Sequence, residues 1–191
     1  MASFNDCYNI IISLRRGIVN RRGLDNAGEN VYSGIMRNQM EDENMPEKTT
    51  SVQIVLPQHC NGYKKPRLFG GQMMAWIDIV GAVAARRYTN SAVTTVCIEN
   101  LSFLAPAYLN DTMVQEAVVT WTGHTSLEVR VDSYVERLDG SRERVNRAYV
   151  VFVALDDQDN PKAVPPFEPQ SDAEKREYAA ALERRRIRLS R

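Results

Sequence analysis

One carboxylate lies inside a long apolar segment of this sequence. Asp78 is surrounded by uncharged residues throughout Met73 to Gly81. An unpaired carboxylate in apolar surroundings costs roughly several kcal/mol, so the position calls for an explanation. In a chemical interpretation, Asp78 is a general base or a nucleophile. In a structural interpretation, it bonds a backbone group or an arginine at a subunit interface.

The residues that share a helical face with Asp78 are mostly small. Positions three, four and seven residues apart lie on one side of a helix. Here they are Met74, Gly81, Ala82 and Ala85. This spacing predicts that a cavity or a neighbouring segment lies against the carboxylate.

Gly70 and Gly71 mark the start of the same segment. Two glycines let a ligand approach the backbone closely. Free N–H groups at a helix N-terminus stabilise negative charge, including an oxyanion. Asn61 lies in the preceding loop, where its amide could hold a carbonyl group or orient a water. The glycine pair and the Asn61-Gly62 dipeptide are equally compatible with tight turns.

The link from Gly123 to Ser126 joins two predicted strands. Its backbone and the hydroxyls of Thr125 and Ser126 could contact a phosphate, although a hairpin turn explains the same residues. Other chemistries lack their motifs, because the sequence has no GxSxG, P-loop or GxGxxG pattern. His59 beside Cys60 is a weak indication of a thiol nucleophile, since no third orienting group is visible.

The composition argues against several other classes. Lys plus Arg and Asp plus Glu each number 24, so the zero net charge gives no global reason to expect nucleic acid. With only two histidines and three cysteines, a zinc site would have to be assembled mostly from carboxylates, so no metal is expected. The odd number of cysteines favours a reducing compartment over a disulfide framework. No apolar run is long enough to span a membrane.

The periodicity predicts one α+β domain, in which an antiparallel sheet wraps around one long helix. The helix covers Gln72 to Tyr88 and is apolar nearly all round, so it should be buried on most faces. Strands are predicted near 51–56, 93–104, 112–122, 126–136 and 148–155, with 126–136 half exposed. Ser171 and Glu174 form a capping box before a charged helix, Ala173 to Leu189.

Residues 1–48 differ from the predicted domain at 49–169 and from the C-terminal helix region at 170–191. This extension holds scattered polar residues and the acidic run Glu41 to Glu43. It fits a flexible or partner-binding terminus, or a segment upstream of a true start at Met40 or Met45. Its early arginine pairs also weakly resemble a mitochondrial presequence.

Four segments in this order resemble the hotdog-fold acyl-CoA thioesterase family, also called acyl-CoA hydrolases. The resemblance spans roughly Thr49 to Pro166 and is carried by Leu68 to Asp78, Asn100 to Pro106, Gly123 to Val129 and Phe152 to Asp156. It implies hydrolysis of an acyl-CoA to a free fatty acid and CoA.

The resemblance also implies catalytic roles for individual residues. Asp78 would be the general base or nucleophile, and the Gly70 amide would polarise the thioester carbonyl. The family places an asparagine upstream of the two glycines. Spacing along the loop points to Asn61, whereas counting back from Phe69 gives Tyr63.

Substrate contacts and cofactors follow from the same resemblance. Contacts are expected from Phe69, Gly71, Met74, Gly123, Thr125 and Ser126. His124 stands where relatives often carry arginine, which implies weaker phosphate contact at that turn. No cofactor is expected, because coenzyme A is part of the substrate and the product.

Hotdog active sites lie at dimer interfaces, so a homo-oligomer is expected, either a dimer or a trimer of dimers. Asp78 would then face Asn61 of the partner subunit. No nucleic-acid or membrane partner is expected, because acidic residues accompany the arginines of the C-terminal helix and indicate a solvated helix.

Two alternatives to hydrolysis have less support in the sequence. A hotdog dehydratase would need a histidine beside the carboxylate, and neither histidine lies on the helix. A non-catalytic acyl-CoA-binding or sensing module would need a DNA-binding domain, for which residues 1–48 lack a helix-turn-helix pattern. The expected location is the cytoplasm, or the mitochondrion if the extension is a presequence.

Removal of Met1 to Asn44 is expected to leave folding and thioesterase turnover intact, because the domain pattern begins at Thr49. Thermal melts and turnover of the truncated protein, compared with the full chain, test this. A large loss in either would show that the extension is structural.

Overall fold

The computed structural model describes residues 48–62 and 64–190. The predicted N-terminal extension lies outside the described residues apart from Lys48. Tyr63, one of the two candidates for the asparagine position, also lies outside them. No helix in the described part of the chain is long and apolar enough to cross a membrane.

Seven strands and two α-helices make up this part of the chain. They are β1 (Thr49–Ile54), β2 (Cys60–Asn61), β3 (Arg67–Leu68), α1 (Gly70–Thr89), β4 (Ala92–Phe103), β5 (Thr112–Thr122), β6 (Ser126–Glu136), β7 (Arg142–Leu155) and α2 (Asp172–Leu189). A 3-10 turn at Pro57–His59 precedes β2.

Five of these strands form one sheet in the order β1-β5-β6-β7-β4, and all neighbouring pairs are antiparallel. The strands β2 and β3 form a separate short hairpin. The long helix α1 packs on one face of the main sheet, so the predicted α+β class is confirmed. This order leaves β1 and β4 at the two edges.

Helix α1 is buried on one side rather than on most faces. Its sheet-facing side buries Met73, Trp76, Ile77, Val80, Gly81, Ala84, Ala85 and Thr89. The opposite side leaves Met74, Ile79 and Val83 exposed, although all three are apolar. The predicted burial on most faces is therefore not reached within one chain, because a single sheet can cover only one side of a helix.

Strand β7 begins at Arg142, earlier than the apolar run from Ala148 suggested. Its first half is charged, yet it pairs with β6. The Nε of Arg142 lies 2.6 Å from Glu136, and the Nε of Arg147 donates to Asp132 at 2.6 Å. Cross-strand ion pairs replace apolar packing here, which is why a pattern of apolar residues misses this half of the strand.

The outer face of β6 is covered, so the prediction of a half-exposed strand is wrong. Glu128 and Asp132 point away from α1 but are only 1% and 4% exposed. Glu128 accepts hydrogen bonds from Thr120 Oγ1 at 2.7 Å and from Arg184 at 2.7 and 3.0 Å. Arg184 belongs to α2, which lies across this face of the sheet.

Helix α2 therefore docks through charged side chains rather than being fully solvated. The predicted capping box of Ser171 and Glu174 is confirmed, and Ala181 is the buried apolar residue of the helix. The Arg184 guanidinium also lies 3.6 Å from the centre of the Tyr149 ring. Burial raises the pKa of Glu177, but hydrogen bonds from Arg130 and Arg184 outweigh it, so this pKa lies below its usual value.

Arg184→Ala is expected to lower the free energy of unfolding by roughly 3–5 kcal/mol, because it leaves the Glu128 carboxylate buried without a counter-charge. Denaturant unfolding measures this loss. Arg186→Ala is the matched control, since its pair with Glu183 is exposed to solvent and should contribute little to stability. Equal losses in the two variants would contradict a structural role for the buried pair.

Candidate active site

A cleft of about 350 Å³ opens beside the first turn of α1. It is lined by Asn61, Arg67, Leu68, Gly70, Met73 and the segment Phe103–Ala107. Two residues predicted from the sequence, Asn61 and Gly70, therefore line one cavity.

The β2–β3 hairpin holds Asn61 in this position. Asn61 pairs with Arg67 across the hairpin. The backbone N–H of Phe69 donates to His59 O at 2.9 Å, and that of Leu68 donates to Ala107 O at 2.8 Å. These bonds fix the hairpin against both the start of α1 and the segment that follows β4. The loop predicted over this region thus contains two short paired strands.

The first turn of α1 has unsatisfied amides. Its N-cap is Phe69, and within the described chain no side chain caps this end and no acidic residue lies in the first turn. The first N–H groups of a helix have no partner inside it. The cleft at Gly70 is therefore bordered by donors that can stabilise negative charge.

Gly70 and Gly71 are both closely packed. A Cβ atom on Gly70 would lie 3.4 Å from the ring of Phe103. A Cβ atom on Gly71 would collide with the ring of Phe69, which folds back over it. The second glycine is therefore needed for the position of Phe69, whose side chain is 53% exposed beside the cleft.

Asp78 is held by a residue that sequence analysis missed. The hydroxyl of Thr95 on β4 donates to Asp78 Oδ1 at 2.6 Å. This bond fixes one carboxylate oxygen and leaves the second without a recorded partner among the described residues. Asp78 is half-buried on the exposed side of α1, next to Ile79. The carboxylate is therefore oriented by a side chain and accessible from outside the chain.

Two predictions about the surroundings of Asp78 need correction. Gly81 does not line a cavity, because a Cβ atom there would lie 3.2 Å from the Phe152 ring. Ala85 is also buried against the sheet. Of the four residues predicted to share its face, Met74 and Ala82 remain on the accessible side.

Asp78 is not among the residues that line the cleft at Gly70 of its own chain. Eight residues of helix separate the two, which corresponds to about 12 Å along the axis. Within one chain, Asp78 and the cleft at Gly70 are therefore two separate halves of the candidate site.

The link Gly123–Ser126 lies far from the cleft but at the same end of the sheet as Thr95, because Thr95 pairs with Phe152 and Phe152 pairs with Leu127. It follows the eleven-residue strand β5, whose other end is near the cleft, so about 35 Å separate the two ends. The turn is tight, since Gly123 N donates to Ser126 O at 2.7 Å and a Cβ atom on Gly123 would lie 2.7 Å from Trp121. Within one chain, Gly123, Thr125 and Ser126 form a hairpin turn.

Other candidate nucleophiles and ligands have structural roles. His59 Nδ1 accepts from Leu56 N at 3.1 Å, and its ring stacks edge-on against Trp76 at 4.9 Å. The candidate thiol, Cys60, pairs with Leu68 across the β2–β3 hairpin and packs against the hydrophobic core. The described residues contain no group of three or more potential metal ligands.

Comparisons with known proteins agree with this arrangement. Residues 66–139 match the family model of the thioesterase superfamily. The chain is 37% identical over 149 residues to acyl-coenzyme A thioesterase 11 of Mus musculus, covering 76% of this chain and 25% of that protein. It is 32% identical over 145 residues to the acyl-CoA thioester hydrolase YkhA of Bacillus subtilis, covering 75% of this chain and 83% of that protein.

Solved structures share the fold. A hexameric acyl-CoA thioesterase superposes with a TM-score of 0.70 at 36% identity, covering 75% of this chain and 91% of the other. The acyl-CoA hydrolase of Staphylococcus aureus superposes with a TM-score of 0.68 at 33% identity, covering 74% of this chain and 88% of the other. That structure is a complex with butyryl coenzyme A, coenzyme A and coenzyme A disulfide. Alanine variants of that enzyme at an asparagine, an aspartate and a threonine are also solved.

An antiparallel sheet packed on one long helix is the architecture that this chain shares with thioesterases of the hotdog class. Within that class, the extent of the match to the bacterial hydrolase shows that the chain belongs to the acyl-CoA thioesterase family. The chain spans about a quarter to a third of the length of the mammalian relatives it matches.

Proposed function

We propose that this protein hydrolyses acyl-CoA thioesters to a free acid and coenzyme A. The observation that carries the proposal is the Asp78 carboxylate, oriented by Thr95 at 2.6 Å on the accessible side of α1. The aspartate and threonine substituted in the S. aureus enzyme are separated by the same number of residues as Asp78 and Thr95. This shared spacing supports a catalytic pair.

The reaction requires charge stabilisation and activation of water. The thioester carbonyl oxygen would accept from the Gly70 N–H at the uncapped helix end, which stabilises the negative charge that develops during attack. As a general base, Asp78 takes a proton from the attacking water, the C–S bond breaks, and the CoA thiolate takes up a proton. As a nucleophile, the Asp78 carboxylate instead attacks the carbonyl carbon, the C–S bond breaks and the CoA thiolate takes up a proton. Water then hydrolyses the resulting acyl anhydride to the free acid and the Asp78 carboxylate.

A second copy of the chain would unite the two halves of the site. The accessible side of α1 and the edge strand β4 expose Met74, Ile79, Val83, Val96, Phe103 and Leu104. Exposed apolar residues beside an unpaired strand edge are typical of an association surface. In the proposed homodimer, Asp78 of one chain enters the cleft formed by Asn61 and Gly70 of its partner, where Asn61 orients the water or the carbonyl.

The wider assembly and location are further proposals. Structural relatives that are hexameric support a trimer of dimers. The proposed chemistry uses protein groups and water, so it needs no cofactor. Cytoplasmic location remains a prediction from the cysteine content, and the mitochondrial alternative depends on residues outside the described part of the chain.

Asp78→Asn is expected to lower turnover of an acyl-CoA by roughly a hundredfold or more, the scale of losing a general base. Release of the free thiol measures the rate. Asn61→Ala should lower turnover less, because Asn61 orients and does not transfer a proton. Binding of the product CoA should change little in both variants.

Asp157→Asn is the matched control, because Asp157 is exposed and lies outside the site. It should retain the turnover of the unmodified protein. Near-normal turnover in a correctly assembled Asp78→Asn protein would show that the carboxylate is structural and that the proposed mechanism is wrong.

Co-expression of the Asp78→Asn and Asn61→Ala chains tests whether the site is shared. A mixed dimer contains one site with both residues intact, so its activity should exceed the mean of the two parent variants. Sedimentation at micromolar concentration should find a homo-oligomer. A stable, active monomer, or mixed dimers no better than the parental mean, would exclude a shared site.

A further inference from the structure

Three cations of the β2–β3 hairpin have no acidic partner among the described residues. Lys64 and Lys65 lie in the connection, Arg67 begins β3 and lines the cleft, and no described carboxylate lies within 4.0 Å of them. In contrast, most arginines of the sheet and of α2 form ion pairs, including Arg130 and Arg184. The segment 64–67, named here the basic loop, therefore keeps its positive charge available.

Backbone contacts fix the basic loop beside the cleft. Leu109 N donates to Pro66 O at 3.2 Å, and Arg67 forms an isolated bridge with Tyr108. The Lys65 ammonium lies 4.1 Å from the centre of the Tyr108 ring. Arg67 lines the same cavity as Gly70, so a molecule bound at the Gly70 amide lies close to these charges.

The chemistry of the substrate gives these charges a role, which rests on the proposed hydrolysis of acyl-CoA. An acyl group held at Gly70 must project its thiol leaving group out of the cleft, and in coenzyme A that group ends in a nucleotide with three phosphates. Unpaired Lys and Arg side chains bind phosphate strongly, Arg by two parallel hydrogen bonds and Lys as a point charge. Cations at the rim attract such a polyanion before it docks.

The number of residues between Asn61 and Asp78 also supports a role for the basic loop. In the S. aureus enzyme, the substituted asparagine and aspartate are separated by fewer residues than Asn61 and Asp78. With Asn61 in the equivalent role, the segment between the asparagine and the aspartate is longer in this chain, and it contains the basic loop. The turn at His124, where a phosphate contact was expected to be weak, lies at the end of its own sheet that carries Thr95 and Asp78, away from the basic loop of the same chain.

We propose that Lys65 and Arg67, together with Lys64, bind the nucleotide phosphates of coenzyme A and make this enzyme selective for CoA thioesters over thioesters that lack a nucleotide. Lys65 contributes charge from above the Tyr108 ring, and Arg67 contributes a planar hydrogen-bonding group at the cleft itself. Both act on binding rather than on the attack of water.

A comparison of two substrates tests the proposal. Butyryl-CoA and butyryl-pantetheine carry the same reacting group, and only the first carries the nucleotide. In Lys65→Gln, Arg67→Gln and the double variant, kcat/KM for butyryl-CoA should fall more than kcat/KM for butyryl-pantetheine. The ratio of the two should drop by roughly tenfold in the double variant, with the change mainly in KM. Lys65→Arg should preserve the ratio.

Arg176→Gln is the matched control, because Arg176 is an exposed arginine on α2. It should leave the ratio unchanged. Calorimetric binding of CoA and of pantetheine to each variant gives a second measurement that does not need turnover. If the double variant does not fold, the two single variants carry the same test.

The outcomes separate the two proposals. Absence of hydrolysis of both substrates by the unmodified protein would overturn the proposed function, while weaker CoA binding in the variants would still support the basic loop. An unchanged substrate ratio together with unchanged CoA binding would overturn the proposed role of the basic loop and leave the proposed hydrolysis unaffected. The same role would be overturned if the unmodified protein did not prefer butyryl-CoA to butyryl-pantetheine.

Discussion

The close packing of α1 on the sheet is the contact on which the other features depend. Gly81 lies against the Phe152 ring, at a distance where a Cβ atom would be only 3.2 Å away. This approach fixes the rotation of the helix, with Trp76 and Ile77 towards the sheet. Asp78 then points to the accessible side, and the helix axis brings it opposite Thr95 on β4. Burial on one face thus sets the direction of the carboxylate on the other.

Much of the fold was visible in the sequence, but the rotation of α1 was not. The order of elements follows from strand alternation and turn residues such as Asp139-Gly140, where Gly140 adopts a φ of 81°. A helix that is apolar nearly all round has no periodic contrast between its faces, so the pattern could not place Gly81 inward. Gly70 and Asn61 were predictable because a helix start and its preceding loop are local features.

Thr95 and the outer-face ion pairs were missed because they depend on distances across the fold. Twelve residues of helix before Asn90 cover about 18 Å, and five residues of strand after it cover about 17 Å, so Asp78 and Thr95 come level. These lengths place the two residues side by side only when the position of the turn at Asn90 is known. The pair of Glu128 and Arg184 joins residues 56 positions apart, and no local pattern links them.

The two helices are held to opposite faces of the same sheet by different forces. Helix α1 packs through apolar side chains, whereas α2 is attached by ion pairs that include the partly exposed pairs of Arg130 with Glu177 and Arg188 with Glu99. A strongly hydrated salt such as sulfate strengthens apolar burial, and its ions also screen partly exposed charges. Sulfate therefore stabilises the packing of α1 on the sheet and weakens the attachment of α2 to the opposite face. No single salt concentration gives the highest stability for both helices.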